Sequence, residues 1–393
     1  MFFSTAAARV RVATLLGIDT LLKLAGKPAP RPDRVLIVRL DAIGDFILWM
    51  DAAKAIVRHY KGRGRTAVLV ANNVWASWAK DLGIFEEVIP VDVYQFHHDP
   101  LYRFRTGRQI RRWGCTIAVE PSYSRSWLLG DSVIRVSGAN ERIGSAGNTS
   151  EPQTHKQRIS DRWYTRLIPA DPLPLMELER NAEFVRNLGE AGFHAALPQL
   201  PETSLLEDNA AFIAATAGKP FYVLFPGASW EGRRWPVSGF HEIAERLYNR
   251  TGWLGVVCGG GSDREIAGEL CARSISPLVN WAGRTTLGEL AAILNVARLL
   301  LTNETSAVHI GAACGTPTVC LLGGGHYGRF LPYQIQGSIA RPLPQAVIHK
   351  MPCFGCNWQC IYPRPEGGPV PCIEQIDTEE VWQAVSEVLC WTE

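Results

Sequence analysis

Three short segments place charged or hydroxyl residues among small ones, each directly after an apolar run. The first is Asp41-Ala-Ile-Gly44-Asp45, behind Arg34-Val-Leu-Ile-Val-Arg39. Asp45 there can act as a general base, or it can cap the helix that follows, a position Asp favours. The second is Phe225-Pro-Gly-Ala-Ser229-Trp-Glu-Gly-Arg233-Arg234-Trp-Pro236. Small residues let an anion approach backbone N–H groups, and Arg grips phosphate oxygens with two bonds at once. A solvated charge pair is the plainer reading for one of the two Arg. The third is Thr302-Asn-Glu304-Thr305-Ser306-Ala-Val-His309. A helix beginning at these hydroxyls would offer free N–H groups and its dipole to a phosphate. Ordinary capping explains the hydroxyls equally well; His309, one turn into the helix, is counted with Glu304, Thr305 and Ser306 among the donor-binding candidates, and a satisfied core histidine is its plainer reading. Gly259-Gly-Gly-Ser-Asp263 adds a flexible turn with one acid.

A fourth group is made of sulfur. Cys353, Cys356, Cys360 and Cys372 follow the spacing C-x2-C-x3-C-x11-C. Four thiolates so spaced suit a closed tetrahedral site for structural iron or zinc, against free or paired thiols as the alternative. Arg364 is the one cation close by, which disfavours a nucleic-acid zinc module.

The elements needed to position these turns can be read from hydropathy. Short β-branched runs predict strands at 34–39, 66–71, 87–91 and 115–119, and helical spacing predicts helices at 46–60 and 75–82. A second alternation predicts strands at 221–225, 254–258, 299–302 and 318–322. Helices are expected at 236–250, 264–272, 287–296, 307–314 and 378–388. Alternating strands and helices imply an α/β chain with two doubly wound sheets, whose ligands sit beyond the carboxyl ends of the strands. The expected division is an N-terminal helix and linker over 1–32, one Rossmann-like domain over 33–200 and another over 201–376. The second domain includes the Cys-rich segment 351–373, and a last helix over 377–393 could cross back onto the first half. Within the N-terminal helix, Val10, Ala13, Leu16, Leu21 and Leu24 recur at helical spacing among Arg9, Arg11 and Lys23. That pattern fits a helix packed on the body or one lying on a membrane surface.

The chain has 393 residues, 47% hydrophobic and 20% charged, too long for one core and too apolar for disorder. Lys+Arg number 40 against 38 Asp+Glu, so no global charge draws it to nucleic acid. No apolar run reaches the length of a membrane span and no secretory signal is evident, so a cytoplasmic protein is expected. No GxGxxG follows the first strand and no Walker sequence occurs, which argues against a nicotinamide dehydrogenase.

Together, "RVLIVRLDAIGDFIL", "FPGASWEGRRWPVSGF" and "LLTNETSAVHIGAACGTPTVCLLGG" resemble, in order and spacing, the three hallmark blocks of the ADP-heptose:lipopolysaccharide heptosyltransferases, glycosyltransferase family 9. The resemblance covers roughly residues 33–390. It implies a GT-B fold, with the active site between two Rossmann-like domains. It also implies inverting transfer of heptose or a related sugar from an ADP-activated donor, with no catalytic metal. Residue by residue, it puts the catalytic aspartate at Asp45 and the diphosphate-contacting cation at Arg233. Ser229 faces the phosphates, Asp263 the ribose, and Thr285 and Thr286 the adenine. The family's Asn-Asp-Thr-Gly block reads Asn303-Glu304-Thr305-Ser306 here, and Glu304 and Ser306 depart from it. The longer acid can change which sugar is held. The cysteine cluster is similar to one that binds iron in the autotransporter heptosyltransferases. Implied partners are a nucleotide-diphosphate sugar and a glycan, lipid-linked or protein acceptor, with peripheral contact on the cytoplasmic face of the inner membrane as an added option. The readings set against this are a relative using another nucleotide sugar or a protein acceptor, and a non-catalytic sugar-nucleotide-binding protein.

Overall fold

The computed structural model describes residues 5–26, 28–147, 155–201, 209–335 and 341–391. Its contacts divide the chain into two units, Met1–Ala196 and Leu197–Glu393. The first runs α1 (Thr5–Leu24), β1 (Arg31–Arg39), α2 (Ile43–Lys61), β2 (Thr66–Asn72), α3 (Asn73–Asp81), β3 (Glu87–Val91), α4 (Val93–His98) and α5 (Pro100–Arg112). It continues with β4 (Cys115–Glu120), α6 (Gly130–Val136), β5 (Glu141–Ser145), α7 (His155–Asp161), β6 (Arg166–Ile168) and α8 (Glu177–Leu188). The second unit runs α9 (Ala210–Thr216), β7 (Phe221–Phe225), α10 (Val237–Thr251), β8 (Leu254–Val257), α11 (Arg264–Arg273), β9 (Leu278–Asn280), α12 (Leu287–Val296) and β10 (Leu300–Asn303). It ends with α13 (Ser306–Cys314), β11 (Thr318–Leu321), β12 (Gln345–Val347), α14 (Pro371–Glu374) and α15 (Thr378–Val388).

Each unit is built on a six-stranded sheet whose described pairings are all parallel. The first is ordered β3-β2-β1-β4-β5-β6 and the second β12-β11-β10-β7-β8-β9. Read from its other end, the second sheet has the order of the first. A parallel sheet is covered on both faces, so its strands are apolar throughout. Val35–Val38, Val223, Leu224, Val256 and Leu299–Leu301 are accordingly buried. In both sheets the strand order reverses beside the first strand, between β1 and β4 and between β7 and β10. Crevices at such switch points are where ligands enter.

Helix α1 forms as expected, but on a different face. Leu15, Asp19 and Leu22 are buried, while Val10, Leu21 and Leu24 of the expected stripe are exposed. The cause is electrostatic: the Asp19 carboxylate takes two bonds of 2.8 Å from Arg103 on α5, and that pair turns the helix. Helix α15 packs on β11, β12 and α10 of its own unit. No helix among the described residues is long and apolar enough to cross a membrane.

Candidate functional site

In the first unit, β1 ends in a buried Arg39. Its Nε lies 2.5 Å from Asp41, and its terminal nitrogens reach Asn181 at 3.3 Å and Glu177 at 3.6 Å, both on α8. The turn itself is pinned by its main chain. The Asp41 carbonyl accepts from Asn72 (3.0 Å) and from the Trp75 indole (2.9 Å). Helix α2 begins at Ile43, after Ala42, so Asp45 is its third residue and not its cap. The half-buried Asp45 carboxylate lies at the helix's positive end, within the field of Arg39. Burial, aided by Asp45 and Glu177 and opposed by Arg39, pushes the Asp41 carboxyl up to about 7. Its Oδ1 is buried with no hydrogen-bond partner among the described residues.

On the other side of this switch point, β4 ends in buried Glu120. The Tyr164 hydroxyl sits between Glu120 and Asp131, and Arg125 bonds Asp131 at 2.9 Å and also Asp161. Burial and the neighbouring Asp131 hold the Glu120 carboxyl well above its ordinary value. Beside this network opens a cavity of about 370 Å³, lined by Tyr123, Arg125, Trp127, Asp131 and Lys156 among others.

In the second unit, two turns at its switch point are tied together by Asn303. Its amide donates to the Pro226 carbonyl (2.7 Å) and accepts from the Trp235 N–H (3.0 Å). Arg233 therefore meets Glu304: it donates to the Glu304 carbonyl and stands 3.6 Å from the carboxylate. Arg233 Nε and Glu304 Oε2 are buried without partners among the described residues. Burial, opposed by Arg233, pushes the Glu304 carboxyl up to about 7. Thr305 caps α13, its hydroxyl accepting from the Ala307 N–H, and Ser306 is the first helical residue. His309 is buried 2.6 Å from the Tyr333 hydroxyl, and burial pulls its pKa down to about 3, so it is a neutral core group.

The other expected donor residues lie on the loops that follow β7, β8 and β9. Ser229 is exposed on the loop after β7. Asp263 is buried, its carboxylate accepting from the Gly260 N–H at 2.8 Å. It meets Gly227 so closely that a Cβ there would lie 2.2 Å from the Asp263 Cγ, which is why that loop needs glycine. Thr285 is half-buried, and Thr286 caps α12 in a reciprocal bond with Glu289. Arg234 turns inward to the Ala228 carbonyl.

The cysteine segment docks on this same site. The Arg233 guanidinium lies over the Trp358 ring, 4.9 Å from its centroid. Trp358 also stands edge-on to Trp230, and its indole donates to His326. It seats against Gly323 and Gly325, where a Cβ would come within 2.6 Å and 2.3 Å of the indole. The thiols do not match the expected metal geometry. Cys353, Cys356, Cys360 and Cys372 lie near enough that the other thiols add to burial in raising the Cys353 and Cys372 pKa values. Among the described residues, however, no three His, Cys, Asp or Glu side chains converge as metal ligands. Cys360 donates to the Tyr362 carbonyl and Cys372 accepts from the Gly324 N–H.

Sequence reasoning missed Arg39, Asp41, Glu177 and Asn181. The one signal available was a charged residue closing each end of the Arg39-Leu-Asp41 step. Nothing marked α8 as their partner, because buried Glu177, Arg180, Asn181 and Glu183 interrupt its apolar face.

Two parallel α/β units, one with acids at its switch point and one with an Arg and a helix N-terminus, describe a glycosyltransferase. The chain belongs to glycosyltransferase family 9 (heptosyltransferase), whose family model matches residues 147–354. It is 24% identical over 312 residues to lipopolysaccharide heptosyltransferase 2 of Salmonella typhimurium, covering 74% of this chain and 82% of the relative. A family 9 glycosyltransferase structure from Veillonella parvula superposes with a TM-score of 0.69 at 18% identity, covering 93% of this chain and 99% of that one. The Escherichia coli ADP-heptose lps heptosyltransferase II structure gives 0.65 at 17%, covering 91% and 98%.

Proposed function

We propose that the chain is an inverting transferase moving heptose, or a closely related sugar, from an ADP-activated donor to a lipopolysaccharide core or related glycan. The observation that carries this reading is the pair of half-buried Arg233 and buried Glu304, whose Nε and Oε2 have no partner among the described residues and are left for a ligand. The names of the Salmonella and E. coli proteins support the donor and acceptor classes.

In this reading Asp45 takes the proton from an acceptor hydroxyl as its oxygen attacks the anomeric carbon. The bond from that carbon to the diphosphate oxygen breaks on the opposite side, which inverts the centre. Negative charge grows on the leaving diphosphate. Arg233 and the free amides at Thr305 and Ser306 stabilise it, and such preorganised groups supply the largest electrostatic share of catalysis. Glu304 meets the sugar hydroxyls. Ser229 faces the phosphates, Asp263 the ribose, and the backbone at Thr285 and Thr286 the adenine. Arg39 and Glu177 hold Asp41 and the turn that carries Asp45. The cavity beside Arg125 and Trp127 receives the acceptor, since aromatic faces and convergent polar groups suit a sugar.

A structural iron or zinc held by Cys353, Cys356, Cys360 and Cys372 would order the segment that carries Trp358, and it would take no part in the reaction. The donor set fits soft metals. Elemental analysis of protein purified without added metal should find roughly one ion per chain, lost on Cys356→Ser. No ion, with all four thiols titratable in the native protein, contradicts it. A protein acceptor is the second reading, favoured by the likeness of this cluster to that of the autotransporter enzymes. Peripheral membrane contact through α1 rests on its exposed Val10, Leu21 and Leu24 beside Arg9, Arg11 and Lys23.

Incubation with ADP-heptose and with UDP- and GDP-sugars, following nucleotide release, tests the donor. Release from ADP-heptose alone supports the proposal. Release only from another donor, or none, overturns it.

A further inference from the structure

At the amino-terminal edge of the first sheet, opposite the edge that carries Asp41 and Asp45, lies a second cavity of about 280 Å³. Lys23, Arg111, Arg135, Arg142, Arg162 and Trp163 line it. No acid lines it, and no carboxylate pairs with any of these five cations among the described residues. Neutral groups orient them. Arg111 donates to the Val136 carbonyl (2.7 Å) and to the Gly26 carbonyl. Arg142 donates to the Ala139 carbonyl (2.7 Å), and Arg135 to the Thr20 hydroxyl (2.9 Å) while lying over the Trp163 ring. Two neighbouring acids are already committed: Asp19 is buried against Arg103 and Ser132, and Asp161 pairs with Arg125. Glu141 is exposed and does not line the cavity.

We infer that this cavity is an anion site, separate from the donor site, that takes a multiply charged phosphate group. Gathering like charges without a paired carboxylate is unfavourable, and burial lowers the pKa of Arg111, Arg142 and, against the partial opposition of Asp19, Arg135 from the ordinary guanidinium value. A phosphate removes that penalty, and the planar forks of three guanidinium groups match its oxygens. The phosphate belongs either to a lipid head group or to a soluble molecule. The head group is the source the surroundings favour, because Leu21 and Leu24 flank Lys23 and are 62% and 75% exposed. Apolar side chains around a cationic pocket are what a phospholipid surface engages. The site stands on unit-one residues alone and is independent of the transfer reaction.

The test uses the full-length protein and two double variants. Arg135→Gln/Arg142→Gln removes two oriented guanidinium groups, and Lys23→Glu/Arg162→Glu reverses two exposed charges with no ion pair or side-chain hydrogen bond among the described residues. Inorganic pyrophosphate is titrated by calorimetry. Sedimentation is measured with phosphatidylcholine vesicles, with and without phosphatidic acid, whose head group is a phosphomonoester. Pyrophosphate binding should weaken roughly tenfold or more in both variants. Sedimentation with the anionic vesicles should fall in parallel and be abolished by salt. Weakened pyrophosphate binding without any vesicle binding assigns the site to a soluble phosphate. Wild-type behaviour of both variants toward both probes overturns the site, and the folded Lys23→Glu/Arg162→Glu protein keeps that outcome readable.

Discussion

The two sheets share one strand order, yet their switch points are furnished with opposite chemistry. Beyond β1 and β4 stand Asp41, Asp45, Glu120 and Asp131, with Arg39 and Arg125 buried among them as counter-charges. Beyond β7 and β10 stand Arg233, Arg234 and a helix N-terminus, with Glu304 as a buried acid and Asp263 buried against Gly227 on the loop after β7. Topology alone therefore fixes where ligands go and not which ones. An acid-rich crevice suits proton removal from a neutral hydroxyl. A crevice built on Arg and free amides suits a diphosphate. A fold duplicated in one chain can divide base and leaving-group stabilisation between its copies.

The largest expected effect lies on the acid side. Asp45→Asn should cut transfer by about 10²–10⁴-fold, measured as turnover at saturating donor. Turnover near that of the wild type would move the base elsewhere, with Asp41 the first residue to examine.

The next effect concerns the buried acid of the second unit. Glu304 has a folded-state pKa of about 7 against an ordinary 4.5. A raised carboxyl contributes stability that is fully present below the unfolded value and is lost as pH rises through the folded one. Between about pH 4 and pH 8 the wild type should lose on the order of 3 kcal/mol that Glu304→Gln retains. Urea unfolding at several pH values checks this, and parallel profiles for the two proteins would contradict it.

Arg233→Ala should weaken ADP binding about 10–100-fold, more than Arg234→Ala, because Arg234 is engaged with its own loop. Equal losses would blur the contrast between the two sides. The smallest effect is expected from Trp358→Ala, which removes the ring under Arg233 and should weaken ADP binding by a few-fold. Trp358→Phe should restore part of it, and no change in either variant would detach the cysteine segment from the donor site.

Much of the fold was legible because parallel strands are short, apolar and β-branched. Strands 87–91 and 221–225 and helices 287–296 and 378–388 occur with the expected bounds. Among the missed elements, β5 and β6 begin with charged residues, and α8 buries Glu177, Arg180, Asn181 and Glu183 among Leu178, Ala182, Val185 and Leu188. Charged residues inside a buried face blur the hydropathy pattern that would mark it. The same limit applies to the site. Turns after strands located Asp45, Arg233 and Glu304, but Arg39 and Glu177 are 138 positions apart and only the folded chain pairs them. In α1 the apolar period did not mark the packed face: Leu15, Asp19 and Leu22 are buried, and Val10, Leu21 and Leu24 of the stripe are exposed.

The central claim is that the two switch points divide base and donor binding, and ADP calorimetry on Asp45→Asn beside Arg233→Ala tests it most directly. The division predicts that Asp45→Asn binds ADP as the wild type does while failing in transfer, and that Arg233→Ala binds it about 10–100-fold more weakly. Lost ADP affinity in Asp45→Asn, or unchanged affinity in Arg233→Ala, would contradict it.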